Sequence, residues 1–263
     1  MSVYIATHKS FTPPHLDEGY IPLQVGAALH PHLGFHTDDV GEEISEKNPN
    51  YCELTGLYWV WKNDTDSDIK GLVHYRRYFT TSQFSSSQKG FLSSSEIAKT
   101  LENYDIILPK REWLKQNAWD EYHMLCGKEQ DLHRVEQIIQ RQCPEYLPAF
   151  HQYFQGNRSH LFNMMICKKE VFDAYCQWLF DILFALEQEV DLSDYTPYQQ
   201  RIYGFMSERL LNIWVLHHQL RVKEYRTVNT ELSRGQRMWI FLRRWKNRGV
   251  YRWKNKARNG ENV

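Results

Sequence analysis

Gly71-Leu72-Val73-His74-Tyr75-Arg76-Arg77-Tyr78-Phe79 is a short apolar strand that runs straight into one imidazole, two guanidiniums and three aromatic rings. The strand reads as Ile69 to His74, entered through the turn signal Asp64-Thr65-Asp66-Ser67-Asp68. Working outward, Val3 to Ala6 reads as a buried strand leading into Thr7-His8-Lys9, and Ile21 to Val25 as a second strand with Gly26 opening a loop. Tyr104 to Leu108 gives another strand, ending at Pro109-Lys110-Arg111. Helices are expected between them, over Tyr51 to Lys62 with Asn50 as N-cap and over Glu96 to Asn103 capped by Ser94 or Ser95. Strands alternating with helices predict an α/β fold with a partly parallel sheet. Ligands collect at the carboxyl ends of such strands, where all three basic clusters fall. Arg binds phosphate oxygens bidentately and keeps its charge. Two Arg beside a His and stackable rings suit a diphosphate carried by an aromatic group, as in a nucleotide-activated substrate. The alternative is a surface Arg pair on an edge strand.

The second half reads as mostly helical. A strand is expected within His160 to Cys167, and then Val171, Tyr175, Trp178, Leu179, Ile182 and Leu186 fall on one helical face. Thr196-Pro197 is a helix start, and the helix it opens places Ile202, Phe205, Met206, Leu210 and Ile213 on one face. Arg209 falls in that apolar sector, where a guanidinium needs an acid or a phosphate. Glu208 points away from it, toward a cleft or solvent. Residues 34–50 and the Ser-rich residues 80–95 read as loops, the second as a lid or as slack.

The chain has 263 residues with 32 basic and 32 acidic side chains, yet this balance is uneven along it. Arg234, Arg237, Arg243, Arg244, Lys246, Arg248, Arg252, Lys254, Lys256 and Arg258 stand in a segment without acids. Residues 1–233 keep 22 basic against 31 acidic residues, a net charge of −9. The tail interleaves its cations with Trp239, Phe241, Trp245, Tyr251 and Trp253, the composition of a helix lying in an anionic membrane interface. A nucleic-acid arm would share the charge but has less need of Trp. The five cysteines lack CxxC spacing and read as reduced thiols. Met1-Ser2-Val3-Tyr4-Ile5 does not look like a signal peptide, and no apolar run is long enough for a membrane span. HExxH, GxSxG and Gly-rich phosphate loops are missing, which removes most support for hydrolases and kinases. The adjacent acids Asp38 and Asp39 are candidate ligands for Mn2+ or Mg2+.

Several runs together resemble one family. They are Val3 to Lys9, Tyr20 to Ala27, Asp39 to Asn48, Tyr51 to Trp59 and the GLVHYRRYF stretch, followed by Phe162-Asn163-Met164-Met165 and Ser207-Glu208-Arg209-Leu210-Leu211. They are similar to the DUF4422 family of bacterial capsular and exopolysaccharide glycosyltransferases, over roughly residues 1–220. The resemblance implies a GT-A-like fold, a Rossmann-type mixed sheet flanked by helices with a mostly helical C-terminal part. It also implies a donor half at about 1–112 and an acceptor half at about 113–220, with 221–263 left as a basic amphipathic tail. UDP-galactofuranose is one donor that it suggests. Many GT-A enzymes carry a DxD metal motif where this chain has His74-Tyr75-Arg76-Arg77, and Glu43 replaces an expected Asn.

The expected activity is that of a hexosyltransferase moving a sugar from a nucleotide donor to a lipid-linked saccharide, for capsule, exopolysaccharide or O-antigen. It would work in the cytoplasm, peripherally on the inner face of the membrane, with no nucleic-acid partner. Arg76 and Arg77 would stabilise the leaving diphosphate. Thr7, His8, Lys9, His74 and Tyr75 would line the donor pocket, with Asp39 and Asn48 contacting donor sugar or base. Glu208 is the first candidate for general base, and Glu53 and Asp120 follow. Asn163 and Arg209 join the acceptor side. The rival reading is a non-enzymatic module that binds nucleic acid or membrane through its tail.

Overall fold

The computed structural model describes residues 1–82, 90–233, 235–240, 242, 245 and 249–251. Its elements begin with β1 (Ser2–Thr7), β2 (Tyr20–Gln24), β3 (His36–Thr37), α1 (Asn48–Tyr51), α2 (Leu54–Asn63), β4 (Ile69–His74) and β5 (Arg77–Thr80). Next come α3 (Ser94–Leu101), β6 (Ile106–Pro109), β7 (Glu112–Trp113), α4 (Ala118–Leu125), α5 (Glu129–Gln142) and α6 (Leu147–Gln155). The last are β8 (Arg158–Ser159), β9 (Met165–Lys168), α7 (Lys169–Glu189), α8 (Ile202–His217) and β10 (Val222–Asn229).

The strands β3, β2, β1 and β4 lie side by side and parallel, as the alternation of elements predicts. Beyond β4 the sheet closes on itself. β4 pairs antiparallel with β9, β9 with β6, β6 runs parallel to β10, and β10 returns through β5 to β4. A mixed α/β fold with a closed five-stranded ring and flanking helices is the result.

Side chains of a strand alternate between faces. Val3, Ile5 and Val73 enter one core with Tyr75, Tyr78, Phe79 and Ile166. Tyr4, Ala6 and Leu72 enter the other, against helices α2, α7 and α8. Each such fully buried aliphatic side chain contributes about 1.5–3 kcal/mol. Helix α8 is buried on nearly all sides, beyond the single apolar face expected for it.

Several expected boundaries move, each for a local reason. The helix expected over 51–62 is split: α1 ends at Tyr51, before Cys52, whose φ of 54° interrupts it, and α2 begins at Leu54. Asn50 is therefore not an N-cap, and its amide donates to the Gln200 carbonyl. Ser93 rather than Ser94 or Ser95 caps α3, in a reciprocal pairing with Glu96. The strand within 160–167 is confined to its end, because Phe162 and Asn163 have φ of 81° and 48°. Thr196 exchanges hydrogen bonds with Gln199 and opens a single 3-10 turn, and α8 starts only at Ile202. Residues 222–229, read as the start of the tail, form β10 inside the ring.

The described residues beyond 234 are helical, and Arg237 donates to the Asn229 carbonyl. Most of the tail signature lies outside the described residues: Arg234, Phe241, Arg243, Arg244, Lys246, Arg248, Arg252, Trp253, Lys254, Lys256 and Arg258. So does the middle of the Ser-rich loop, residues 83–89. Among the described residues no helix is long and apolar enough to cross a membrane.

Candidate active site

The site starts from two strand ends that the parallel pairing of β1 with β4 sets side by side. After β1, the Thr7 hydroxyl donates to the Lys9 carbonyl at 2.6 Å and folds the chain back. This turn leaves His8 and Lys9 exposed over the end of β4. After β4, Tyr75 and Arg76 form the tight link to β5, so His74 and Arg77 face each other across a strand pair. Tyr75 is buried and acts as the anvil of the cluster. The His8 ring meets it edge-on at 5.4 Å, Lys9 Nζ lies 4.9 Å from its centre, and the Arg76 guanidinium 5.5 Å.

One carboxylate already spans two of these cations. Glu231, just beyond β10, holds Lys9 Nζ at 2.8 Å and lies 3.6 Å from Arg76 Nη1. Its segment is tied there by the Thr230 amide, which donates to the Arg76 carbonyl. An anion seat between Lys9 and Arg76 is thus filled by the chain's own carboxylate.

The second half of the site is built around Phe162. The Arg77 guanidinium stacks 4.4 Å from the centre of its ring. Its amide donates to Glu208 Oε1 at 2.8 Å, and its carbonyl accepts from His74 Nε2 at 2.7 Å. A non-glycine residue at positive φ carries a cost of about 1–3 kcal/mol. Here the strained peptide is clamped from both sides by groups of the site. Asn163, also at positive φ, donates to Glu53 Oε1 at 2.9 Å and to the Gly204 carbonyl. Glu53 in turn lies 3.9 Å from His74. Arg76 Nε and Asn163 Oδ1 are buried without a hydrogen-bond partner among the described residues. Such atoms are rare in proteins and call for a partner.

The electrostatics follow from this packing. Burial raises the pKa of the Glu208 carboxyl, while Arg209 and the Phe162 amide pull against it. Arg209 is the buried guanidinium expected from the sequence, and it pairs with Glu208 Oε2 at 3.0 Å while donating to Cys126 Sγ. The Glu208 side chain keeps 19% exposure, enough for a small group to reach it. Burial lowers the pKa of His74, and burial with the Lys9 and Arg76 charges lowers that of His8. Both rings are therefore neutral near pH 7.

The residues brought together are His8, Lys9, Glu53, His74, Tyr75, Arg76, Arg77, Asn163 and Glu208, with Thr7 and Arg209 shaping them from behind. Four expected site residues stand elsewhere. Asp38 is fully buried, and its carboxylate accepts from the Gly26 and Ala27 amides at 3.0 Å each and from the Ser45 hydroxyl at 2.5 Å. Its oxygens are spent inside the loop. Asp39 is bonded to His32 at 2.9 Å, and Thr37, then His32, hold its pKa below the usual carboxylate range. Asn48 ties the Cys52 carbonyl and Thr55, and it packs so close to Gly26 that a Cβ there would lie 2.7 Å from it. Gly26, at φ of 69°, is required for that contact. On α4, the Asp120 amide donates to the Asn117 cap, and no hydrogen bond or ion pair among the described residues joins its carboxylate to the cluster.

Within the acid pair, Asp38 is closed off by its own hydrogen bonds, whereas Asp39 keeps a buried Oδ1 without a hydrogen-bond partner among the described residues. No group of three or more His, Cys, Asp or Glu among the described residues is placed to hold a metal ion.

Sequence reasoning missed three members. Arg201, just before α8, donates to Cys52 Sγ at 3.1 Å and stacks on Phe205. Burial pushes the Cys52 thiol up to about 11. Phe162 was visible only as part of a similar run, and Glu231 lies 155 or more residues from the Arg it faces, beyond any local pattern.

Residues 2–219 match the family DUF4422, described as a domain of unknown function. No curated protein matches the sequence. The fold is similar to the apo structure of WbbM, described as a bifunctional glycosyltransferase, with a TM-score of 0.81 and 31% identity over 88% of this chain. This chain spans 45% of the length of that one.

Proposed function

The chain belongs to the DUF4422 family, and on that premise we infer that it transfers a sugar from a nucleoside-diphosphate donor to a hydroxyl of a saccharide acceptor. The similarity to WbbM supports the reaction class, and the order β3-β2-β1-β4 supports a GT-A-like, Rossmann-type donor half. The observation that carries the reading is the meeting of charges at Phe162. The Arg77 guanidinium, a cation for a leaving diphosphate, and a carboxylate of raised pKa converge on one strained peptide.

In this mechanism Lys9, Arg76 and Arg77 seat the diphosphate, displacing Glu231, and Tyr75 and His8 offer rings beside it. As the bond between the anomeric carbon and the phosphate oxygen breaks, its electron pair goes to the diphosphate. Preorganised guanidiniums stabilise that developing charge without rearranging. For an inverting reaction the acceptor oxygen forms the new bond to the anomeric carbon and passes its proton to Glu208. Glu53 and Asn163 hold His74 and the 162–163 turn in place. No step in this mechanism is routed through a metal ion, because the guanidiniums supply the positive charge.

UDP is the proposed nucleotide, UDP-galactofuranose one donor, and a lipid-linked saccharide of capsule, exopolysaccharide or O-antigen the acceptor. The tail would hold the enzyme against the inner membrane face, a role supported by the exposed Met238, Trp239, Leu242 and Trp245. The test is nucleotide release from a panel of UDP-, GDP- and dTDP-sugars with octyl glycosides as acceptors, in EDTA. Release from one UDP-sugar is the expected result. No release from any donor, with or without Mn2+, would overturn the reading and leave the tail as the functional part.

A further inference from the structure

Tyr198 lies just ahead of α8, 54% exposed, and packs into neither core. Its ring centre is 5.0 Å from that of Phe205, the planes tilted by 45°. On the same Phe205 ring the Arg201 guanidinium lies at 5.4 Å. Arg201, Phe205 and Glu208 are spaced four and three residues apart, so they share one stripe of the helix surface. From Arg201 to Glu208 the stripe runs about 10 Å at a rise of 1.5 Å per residue. It passes from open to closed. Tyr198 and Arg201 are exposed, Phe205 is half-buried, and Glu208 is the carboxylate at the inner end.

A hexopyranose ring has an apolar face of C–H groups and an edge of hydroxyls. The face suits an aromatic platform, whose ring offers large contact area at little entropic cost. The edge needs donors and acceptors, which Arg201 and Glu208 supply at opposite ends of the stripe. We propose that Tyr198 and Phe205 are the stacking platform for a hexopyranose of the acceptor, holding it so that one hydroxyl reaches Glu208. The proposal rests on the glycosyltransferase reading and adds the place and chemical class of its acceptor.

The experiment measures acceptor KM for the wild-type chain's best substrate among octyl hexopyranosides, in Tyr198→Ala, Tyr198→Phe and Tyr198→Trp. Loss of one aromatic contact raises the acceptor KM about tenfold in Tyr198→Ala. The Phe and Trp variants restore it, because the ring face and not the hydroxyl makes the contact. An unchanged KM in Tyr198→Ala, or a Phe variant as impaired as the Ala one, would overturn the platform. So would donor hydrolysis by the wild-type chain with transfer to none of the octyl hexopyranosides. If the wild-type chain releases nucleotide from no donor, the glycosyltransferase reading falls first and the platform with it.

Discussion

Asp38 and Arg76 are both charged residues just past a strand end, and they are satisfied in opposite ways. Asp38 is bonded at both oxygens to groups of its own loop, with no surface open to solvent. Arg76 keeps a buried Nε without a partner, and its other end meets an exposed carboxylate at 3.6 Å. A charge whose every hydrogen bond is internal stabilises a fold. A charge held by one replaceable partner is available to a ligand. The two regions therefore predict opposite phenotypes, stability without chemistry at Asp38 and chemistry without stability at the Arg cluster.

The largest effect should come from Glu208→Gln, which keeps the hydrogen bond to Phe162 but cannot take a proton. Turnover falls by about 100- to 10,000-fold, the usual contribution of a positioned base. The pH profile sharpens this. Wild-type kcat rises as Glu208 loses its proton, and since its pKa is raised by burial, that rise lies at higher pH than for an ordinary carboxyl. In Glu208→Gln the limb disappears. A limb that persists would assign the proton to another group.

Asp38→Ala tests the other side of the comparison. It leaves two buried amides and a hydroxyl without their acceptor, at a cost of about 3 kcal/mol. A thermal-unfolding scan should show a clear fall in Tm, while kcat of the folded protein stays near wild type. Lost turnover at unchanged Tm would return Asp38 to the metal reading.

Glu231→Gln has the smallest expected effect of these, because exposed ion pairs contribute at most about 1 kcal/mol. Removing the competing charge should tighten UDP binding up to about fivefold by calorimetry. Weaker binding would mean that Glu231 organises the cations rather than standing in for a phosphate.

How far the site was legible in the sequence follows the same division. His8, Lys9 and the His74–Arg77 cluster were legible because strand periodicity and the strand-end rule place them together. That Arg209 needs a counter-charge was legible, because a buried guanidinium requires one. That the partner is Glu208, expected to point away from that sector, was not. The difference between Asp38 and Asp39 was hidden, because adjacent acids look alike whether their oxygens are free or bonded. The bent backbone at Cys52, Phe162 and Asn163 was hidden, since none of them is the glycine that usually marks positive φ. Strand β10 and Glu231 were hidden behind the charge run that follows them, because their partners in the ring are distant in sequence.

The central claim is that the strand-end guanidiniums, and not a metal on the acid pair, seat the diphosphate. The most direct measurement is calorimetric UDP binding in EDTA by the wild-type chain and by Arg76→Ala. Binding by the wild-type chain that weakens at least about tenfold in the variant is the predicted result, since a hydrogen bond to a charged group contributes roughly 1.5–3 kcal/mol. Binding that requires Mn2+, or that is equal in both proteins, would contradict it.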